Sequence, residues 1–316
     1  MVISGRLEGA MDIVRKVAHV NISVLITGES GTGKEVIARA LHWHSDRRSR
    51  AFVPFNCTAV PRDLIESHLF GYRRGAFTGA DKDSPGLVRA ARDGTLFLDE
   101  IGDLGLDVQP KLLRFLESGE IHPLGEPMPL SVDVRVVAAT NANLNELIRH
   151  GRFREDLFYR LNVIVIPLPP LRERRDEIPG LLAHFIGKAS EEFGKGHVQF
   201  GADVLEHVLL YEWPGNIRQL YNEVRRMVAL ADADTTLHAD ALSPCIRHAP
   251  PERVLSTDAD HVTVSLRAKL PSTIEAVERE MIKAALTSHD GRVEDTARAL
   301  GISRKGLYLK RQRLGL

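Results

Sequence analysis

The chain has 316 residues, 43% hydrophobic and 27% charged, a length and composition suited to about two globular domains with a small third. Lys and Arg number 42 and Asp and Glu 42, which excludes a uniformly basic nucleic-acid coat or an acidic tail protein. The two cysteines, Cys57 and Cys245, stand 188 positions apart and exclude a disulfide framework or a cysteine zinc site. No apolar run approaches the ~20 residues that span a membrane, and Met1–Arg15 lacks a secretory apolar core, so a cytoplasmic location and no membrane partner are expected.

A helix is expected over Met11–His19. Four short apolar runs then share one design: Val24–Ile26 ends in Thr27-Gly28, Phe52–Phe55 in Asn56, Leu96–Leu98 in Asp99-Glu100, and Val134–Ala139 in Thr140-Asn141. Unbroken apolar runs separated by helical patterns read as buried parallel strands, and the polar residues at their carboxyl ends mark the edge where open α/β sheets bind ligands. A fifth run, Val163–Ile166, leads into a proline-rich boundary at Pro167–Leu171. His42 and His44 flank Trp43 and read as surface residues, because positions i and i+2 face different ways on a helix.

The segment Gly28-Glu29-Ser30-Gly31-Thr32-Gly33-Lys34 follows the first strand and precedes a helix with Val36, Ile37, Ala40 and Leu41. Strand, glycine loop and helix are the context of a phosphate loop: glycines let backbone N–H groups turn toward phosphate oxygens, and the helix start adds positive potential. Lys34 then sets a point charge on the outer phosphates. Glu35 stands where such loops usually carry a Ser or Thr that ligates Mg²⁺, so the metal must be held otherwise. Asp99 is suited to that task, and Glu100 to polarising the attacking water.

After Leu171 the pattern becomes helical over Ile178–Glu192, Ala202–Tyr211 and Asn216–Ala231. A stretch rich in Pro and Ser without clear period separates these from a last helical unit. The expected division is an α/β core at 1–171, a small helical subdomain at 172–241, a linker at 242–271 and the last helical unit at 272–316. In that last unit Ile274, Val277, Met281 and Leu286 give one helix its apolar stripe, followed by Val293, Ala297 and Leu300 on a second. Gly301-Ile302 is the turn, and Ser303 caps a third helix. Arg304 and Lys305, with Tyr308 on the same helix, are candidates for base edges or nearby phosphates, and Lys310, Arg311 and Arg313 for phosphates. Gly306 is unusual in such a helix and removes one base-reading side chain.

These residues resemble the bacterial sigma-54-dependent transcription activators, a branch of the AAA+ ATPases. The resemblance rests on Gly28–Glu35, on Gly75-Ala76-Phe77-Thr78-Gly79-Ala80, on Gly94–Ile101 and on Trp213-Pro214-Gly215-Asn216-Ile217-Arg218, with a Fis-type helix-turn-helix at the end. It implies an α/β AAA+ fold with a small all-α lid, ATP and Mg²⁺ as cofactors, a ring of six, and sigma-54 RNA polymerase holoenzyme and upstream double-stranded DNA as partners. It also implies that Gly75–Ala80 reaches sigma-54 through Phe77 and Thr78, that Asn56 restrains Glu100, that Thr140-Asn141 senses the γ-phosphate and that Arg218 is the lid sensor. Arg154 and Arg160 would be arginine fingers; as helical residues six apart they would lie about 120° from each other. The chain departs from the family at His68, where an acid is usual, and in the basic Arg73-Arg74. Because Met1 stands only 27 residues before Gly28, control is expected from a separate regulatory protein, from expression level or from a co-activator subunit in a mixed ring. Two other readings remain. A remodeller of another client is disfavoured by the Gly75–Ala80 hexapeptide. A passive DNA-binding repressor is disfavoured by intact Lys34, Asp99, Glu100, Arg154 and Arg160.

Overall fold

The computed structural model describes residues 5–247, 257–258, 261–262, 270–289 and 292–314, so most of the expected linker lies outside the described residues. In chain order the elements are α1 (Gly5–Val17), β1 (Val24–Thr27), α2 (Lys34–Trp43), β2 (Phe52–Asn56), α3 (Arg62–Phe70), α4 (Gly86–Ala90), β3 (Thr95–Asp99), α5 (Gln109–Ser118), β4 (Glu120–Ile121), β5 (Leu130–Ser131), β6 (Arg135–Thr140), α6 (Leu144–Arg149), α7 (Glu155–Leu161) and β7 (Ile164–Pro167). They continue with α8 (Ile178–Phe193), β8 (Gln199–Phe200), α9 (Ala202–Leu210), α10 (Asn216–Leu230), β9 (Thr236–Leu237), α11 (Pro244–Arg247), β10 (Thr257–Asp258), β11 (His261–Val262), α12 (Leu270–Ser288), α13 (Val293–Ala299) and α14 (Arg304–Leu314). Among the described residues, those of 5–201 with 212–237 form one compact unit, and those of 202–211 with 238–314 form the other.

In the first unit the five apolar runs form one parallel sheet in the order β2-β3-β6-β1-β7. Alternate residues point to opposite faces, and each face is covered. Leu25, Leu96, Leu98, Val136 and Ala138 pack with Ile65 and Leu69 of α3, Leu112 and Phe115 of α5 and Leu157 of α7. Val24, Ile26, Phe97, Val137 and Ala139 pack with Met11 and Val14 of α1 and Ile37 and Leu41 of α2. Cover on both faces is why these strands read as continuous apolar runs. The register sets Asn56 beside Asp99 and Thr27 beside Thr140, so the polar strand ends gather on one edge. The helices expected from Ile178, Ala202 and Asn216 are α8, α9 and α10, and α8 packs on α10. The first helix starts earlier than expected, at Gly5, and ends at Val17; the buried Arg135 donates to the carbonyls of Val17 (2.8 Å) and Ala18 beyond its end.

His42 corrects the sequence reading. His44 is exposed, but His42 shares the buried face of α2 with Ile37, Ala38 and Leu41. Its Nδ1 lies 3.0 Å from Thr95 Oγ1, and burial lowers its pKa. Cys57 is buried too, and burial, followed by the charge of Asp99, pushes its thiol up to about 12. Because thiolate is the reactive form, a maleimide at neutral pH should label one equivalent per chain, at exposed Cys245, and two after denaturation. Mass spectrometry of the native adduct checks this; rapid labelling of Cys57 would contradict its burial.

In the second unit Ile282, Ala297, Leu307 and Leu314 form the core of α12–α14, joined by Leu286, Leu300 and Ile302. The inward face of α12 is therefore turned from the expected stripe: Ile282 is buried, whereas Ile274 and Met281 are exposed. The facing positions follow 278, 282 and 286, a spacing of four that keeps one side of the helix toward α14.

Candidate nucleotide site

The phosphate loop joins β1 to α2. Gly31 has φ +79, and a Cβ there would meet the Gly215 carbonyl oxygen at 2.4 Å, so only glycine lets the loop lie against the 213–218 segment. Lys34 opens α2 with its side chain almost fully buried. Its Nζ donates to the carbonyls of Gly28 (3.0 Å) and Glu29 (3.3 Å) and stands 3.3 Å from Glu100 Oε1. Thr32 Oγ1 donates to the Glu29 carbonyl at 2.8 Å and fixes the turn.

Asp99 ends β3, and Glu100 follows with φ +53, a left-handed conformation that a non-glycine residue adopts only under constraint. The Glu100 amide donates to Asp99 Oδ1 (3.1 Å), and Glu100 Oε2 accepts from the Asn141 amide (3.0 Å). Burial and then the adjacent Glu100 charge raise the pKa of Asp99, with Lys34 opposing. Asn56 differs from expectation. Its Nδ2 lies 3.5 Å from Asp99 Oδ2, and its Oδ1 accepts from the amide and hydroxyl of Thr58 at 2.8 and 2.7 Å. Strand register makes Asn56 the neighbour of Asp99, while the turn at Glu100 carries that carboxylate toward Lys34 and Asn141. Thr140 Oγ1 accepts from the Ala142 amide at 3.0 Å and shapes the loop that presents Asn141.

The opposite wall comes from α8, through Phe185 and Lys188, and from the first turns of α10, while the residues before α8 brace the phosphate loop from behind. Trp213 and Asn216 both have positive φ and are fully buried. Arg218 Nη1 donates to Ser30 Oγ (3.1 Å), and the Ile217 amide to the Gly31 carbonyl (3.0 Å). Two arginines that sequence reasoning missed also hold the loop. Arg172 makes a two-pronged pair with Glu29 at 2.6 and 3.0 Å, and its hydrogen bonds hold the Glu29 carboxyl below its usual range. Arg174, fully buried, donates to the Thr32 carbonyl at 2.6 Å. The available signal was an acid at the phosphate-loop rim that needs a cation, and an Arg-rich run just after the last strand.

Ser30, Gly31, Gly33, Lys34, Glu35, Asn56, Asp99, Glu100, Asn141 and Arg218 all line one cavity of about 610 Å³, joined by Thr58, Asp103, Lys188 and Tyr221. Glu29 instead faces Arg172, and Glu35 is paired with Arg39 at 2.6 Å. The carboxylate oxygens of Asp99 and Glu100 suit a hard cation. Among the described residues no cluster of three or more His, Cys, Asp or Glu could hold a metal alone. Carboxylate oxygens are the protein donors that Mg²⁺ takes, alongside nucleotide phosphates and water.

Arg154 and Arg160 lie outside this cavity. Arg154 precedes α7 in extended backbone, so the angular argument between two helical arginines does not apply; it pairs with Asp156 at 2.7 Å. Arg160 is in α7 and donates to the Leu116 carbonyl at 2.8 Å. In the Gly75–Ala80 loop, Gly75 to Gly79 are exposed and Ala80 is buried. The Gly75 amide closes the loop onto the Ala80 carbonyl (2.9 Å), and the Phe77 ring rests edge-on against Tyr72 with centroids 4.9 Å apart. The base is held by Arg73, which bonds Asp83 and Glu126.

In α12–α14, Ser303 caps the last helix by accepting from the Gly306 amide at 3.0 Å, and Ser303, Arg304, Lys305 and Tyr308 are exposed. Lys310 and Arg313 bond Glu278 of α12, so two of the three expected phosphate contacts are engaged within their own unit, and the third, Arg311, is half-buried. No described helix is long and apolar enough to cross a membrane.

Three family models match in order: sigma-54 interaction domain over residues 2–167, AAA+ ATPase lid domain over 172–259, and bacterial regulatory protein, Fis family, over 273–314. The chain is 44% identical over 98% of its length to the hydrogenase transcriptional regulatory protein HoxA of Cupriavidus necator, and spans 64% of that protein. It is 42% identical over 98% of its length to the DNA-binding transcriptional regulator NtrC of Klebsiella pneumoniae, and spans 69% of it. Crystalline NtrX from Brucella abortus in complex with ATP superposes with a TM-score of 0.71 at 32% identity, over 100% of this chain and 69% of that one. The phosphate loop, the acid pair on the central sheet and the closing helix-turn-helix thus belong to one known arrangement, and the chain is a member of the bacterial sigma-54-dependent activator family of AAA+ proteins.

Proposed function

We propose that the chain hydrolyses ATP with Mg²⁺ in a homo-oligomeric ring of six. We further propose that it spends the energy remodelling sigma-54 RNA polymerase holoenzyme from upstream double-stranded DNA, so that the open complex can form. The functional division is a core at 1–171, a lid at 172–241, a linker at 242–271 and a DNA-binding unit at 272–316. The observation that carries this reading is the convergence of Lys34, Asp99, Glu100, Asn141 and Arg218 on one cavity beside a phosphate loop. Phosphates entering along the loop would take the Lys34 ammonium from the Gly28 and Glu29 carbonyls and from Glu100. Glu100, released from that pair and still held by the Asn141 amide, is then placed to polarise water. Asp99, with Asn56 beside it, would hold Mg²⁺, which supplies charge neutralisation at the phosphates. Arg218 exchanges Ser30 for the outer phosphate, and Gly28–Glu35 supplies the cradle.

The exposed Gly75–Ala80 loop lies apart from these groups and is the proposed sigma-54 contact. Its short span and its Phe77–Tyr72 packing present a small apolar knob next to the Thr78 hydroxyl. Thr78→Ala should keep ATP turnover within about twofold, because no catalytic group touches the hydroxyl, while open-complex formation with sigma-54 polymerase is lost. Turnover assays and permanganate footprinting of promoter DNA, run together, test it. Normal promoter opening by the variant would remove sigma-54 as the client.

A further inference from the structure

Each residue of the phosphate-loop rim from Glu29 to Thr32 is held by the lid-side segments. Arg172 and Asn216 Nδ2 bond the Glu29 carboxylate at 2.6 and 3.1 Å, and Asn216 Nδ2 also reaches the Ser30 carbonyl at 3.0 Å. The Ile217 amide takes the Gly31 carbonyl, and Arg174 takes the Thr32 carbonyl. Asn216 is the hinge of this set: fully buried and left-handed, it also accepts from the Leu171 amide at 2.7 Å through Oδ1. One side chain therefore ties the end of the sheet domain, the phosphate loop and the start of α10 together. Glu29 uses its carboxylate only outward, toward Arg172 and Asn216, and does not line the nucleotide cavity.

We propose that Glu29, Arg172 and Asn216 are positioning residues: a fixed clasp between phosphate loop and lid segment that sets where Arg218 enters the site, and so how well ATP is distinguished from ADP. This rests on the nucleotide-site reading above. Arg218 sits two residues beyond Asn216, on the first turn of α10, so the clasp fixes the start of the helix that delivers it. The Arg218 bond to Ser30 Oγ is single and exposed, whereas the Glu29 clasp is two-pronged and partly buried. Nucleotide can therefore displace the first while the second persists. The outer phosphate is the only group by which ATP exceeds ADP, so loosening the clasp should weaken ATP binding more than ADP binding.

The test compares ATP and ADP affinities by isothermal titration in the presence of Mg²⁺ for the full chain and for Arg172→Gln, Glu29→Gln and their combination. Each single variant should lower the ratio of ATP to ADP affinity by about fivefold to tenfold, with the double variant no worse than either single one, since both break the same pair. Arg172→Lys, which keeps charge but loses the two-pronged geometry, should fall between. Thermal melts are read in parallel, and a lowered Tm with an unchanged ratio in every variant would make the pair merely structural and overturn the inference. Additive losses in the double variant would overturn it as well. If the Glu29 variants prove unfolded, Arg172→Lys decides, because it retains the ion pair: a ratio equal to that of the parent chain refutes the clasp. Should the parent chain bind neither nucleotide more tightly than Lys34→Ala, the nucleotide-site reading itself fails, which is a different result.

Discussion

Glu100→Gln is expected to bind ATP within about threefold of the parent chain and to lose turnover by 10²–10⁴-fold, the usual contribution of a positioned general base. The amide keeps the size of the carboxylate and can still accept from the Asn141 amide, so the site should stay assembled. What disappears is the negative charge that polarises water. The Lys34 pair with Glu100 sharpens the expectation: with that 3.3 Å ion pair gone, Lys34 has one partner fewer to abandon when phosphates arrive, so affinity should hold or improve. Lys34→Ala supplies the contrast and should weaken binding. Fluorescent-nucleotide titration and phosphate release measure both quantities. Near-normal turnover in Glu100→Gln would take Glu100 out of the chemistry.

The second large effect concerns Arg154 and Arg160. Both lie outside the cavity of their own chain, and both are held by groups easily replaced: Arg154 by exposed Asp156, Arg160 by one backbone carbonyl. If they act across a subunit boundary, Arg154→Ala or Arg160→Ala should lower turnover by roughly 10³–10⁵, the range for arginine fingers elsewhere. Mixing either variant with Lys34→Ala should restore part of the activity, because some mixed boundaries then pair an intact loop with an intact arginine. The activity should follow the mixing ratio, peaking between the extremes. No recovery at any ratio would count against action in trans, and the steep rise of specific activity with protein concentration that a shared site implies would then be missing too.

The sheet was legible because both its faces are covered, which makes burial periodicity unnecessary: an apolar run bounded by polar residues suffices. The cavity-lining residues were legible for the related reason that Asn56, Asp99 and Asn141 stand at the ends of three of those runs. His42 was not, because whether a helix residue faces inward depends on where the helix is laid, and α2 lies with positions 38 and 42 against the sheet. The stripe of α12 was misread in part in the same way: Ile282 rather than Met281 faces inward, while Leu286 packs on the core as expected. Arg172 and Arg174 were hidden for a different cause. An arginine run in a sequence ordinarily means a solvated surface, and only the three-dimensional approach of residues 172–174 to the phosphate loop turns those charges inward. Asn56 was expected beside Glu100, but the register places its amide 3.5 Å from the neighbouring acid, Asp99.

The Glu278 contacts in the last unit bear on how the chain would sense ionic strength. A DNA-binding surface gains affinity by releasing condensed counterions, about one for each phosphate it neutralises. Lys310 and Arg313 share the single carboxylate of Glu278, which offsets one of their two charges, and these bonds hold that carboxyl below its usual range, so acid across the physiological span does not free them. The cations left for the phosphate backbone are Arg304 and Lys305 at the start of α14, the first of them 3.6 Å from Glu294, the half-buried Arg311, and the one charge that Glu278 leaves uncompensated. One copy of this unit would thus displace few ions and hold DNA weakly at physiological salt. Occupancy of an operator would then depend on how many copies are delivered to it together, so that in the proposed ring assembly and saturation of the sites would become a single cooperative event.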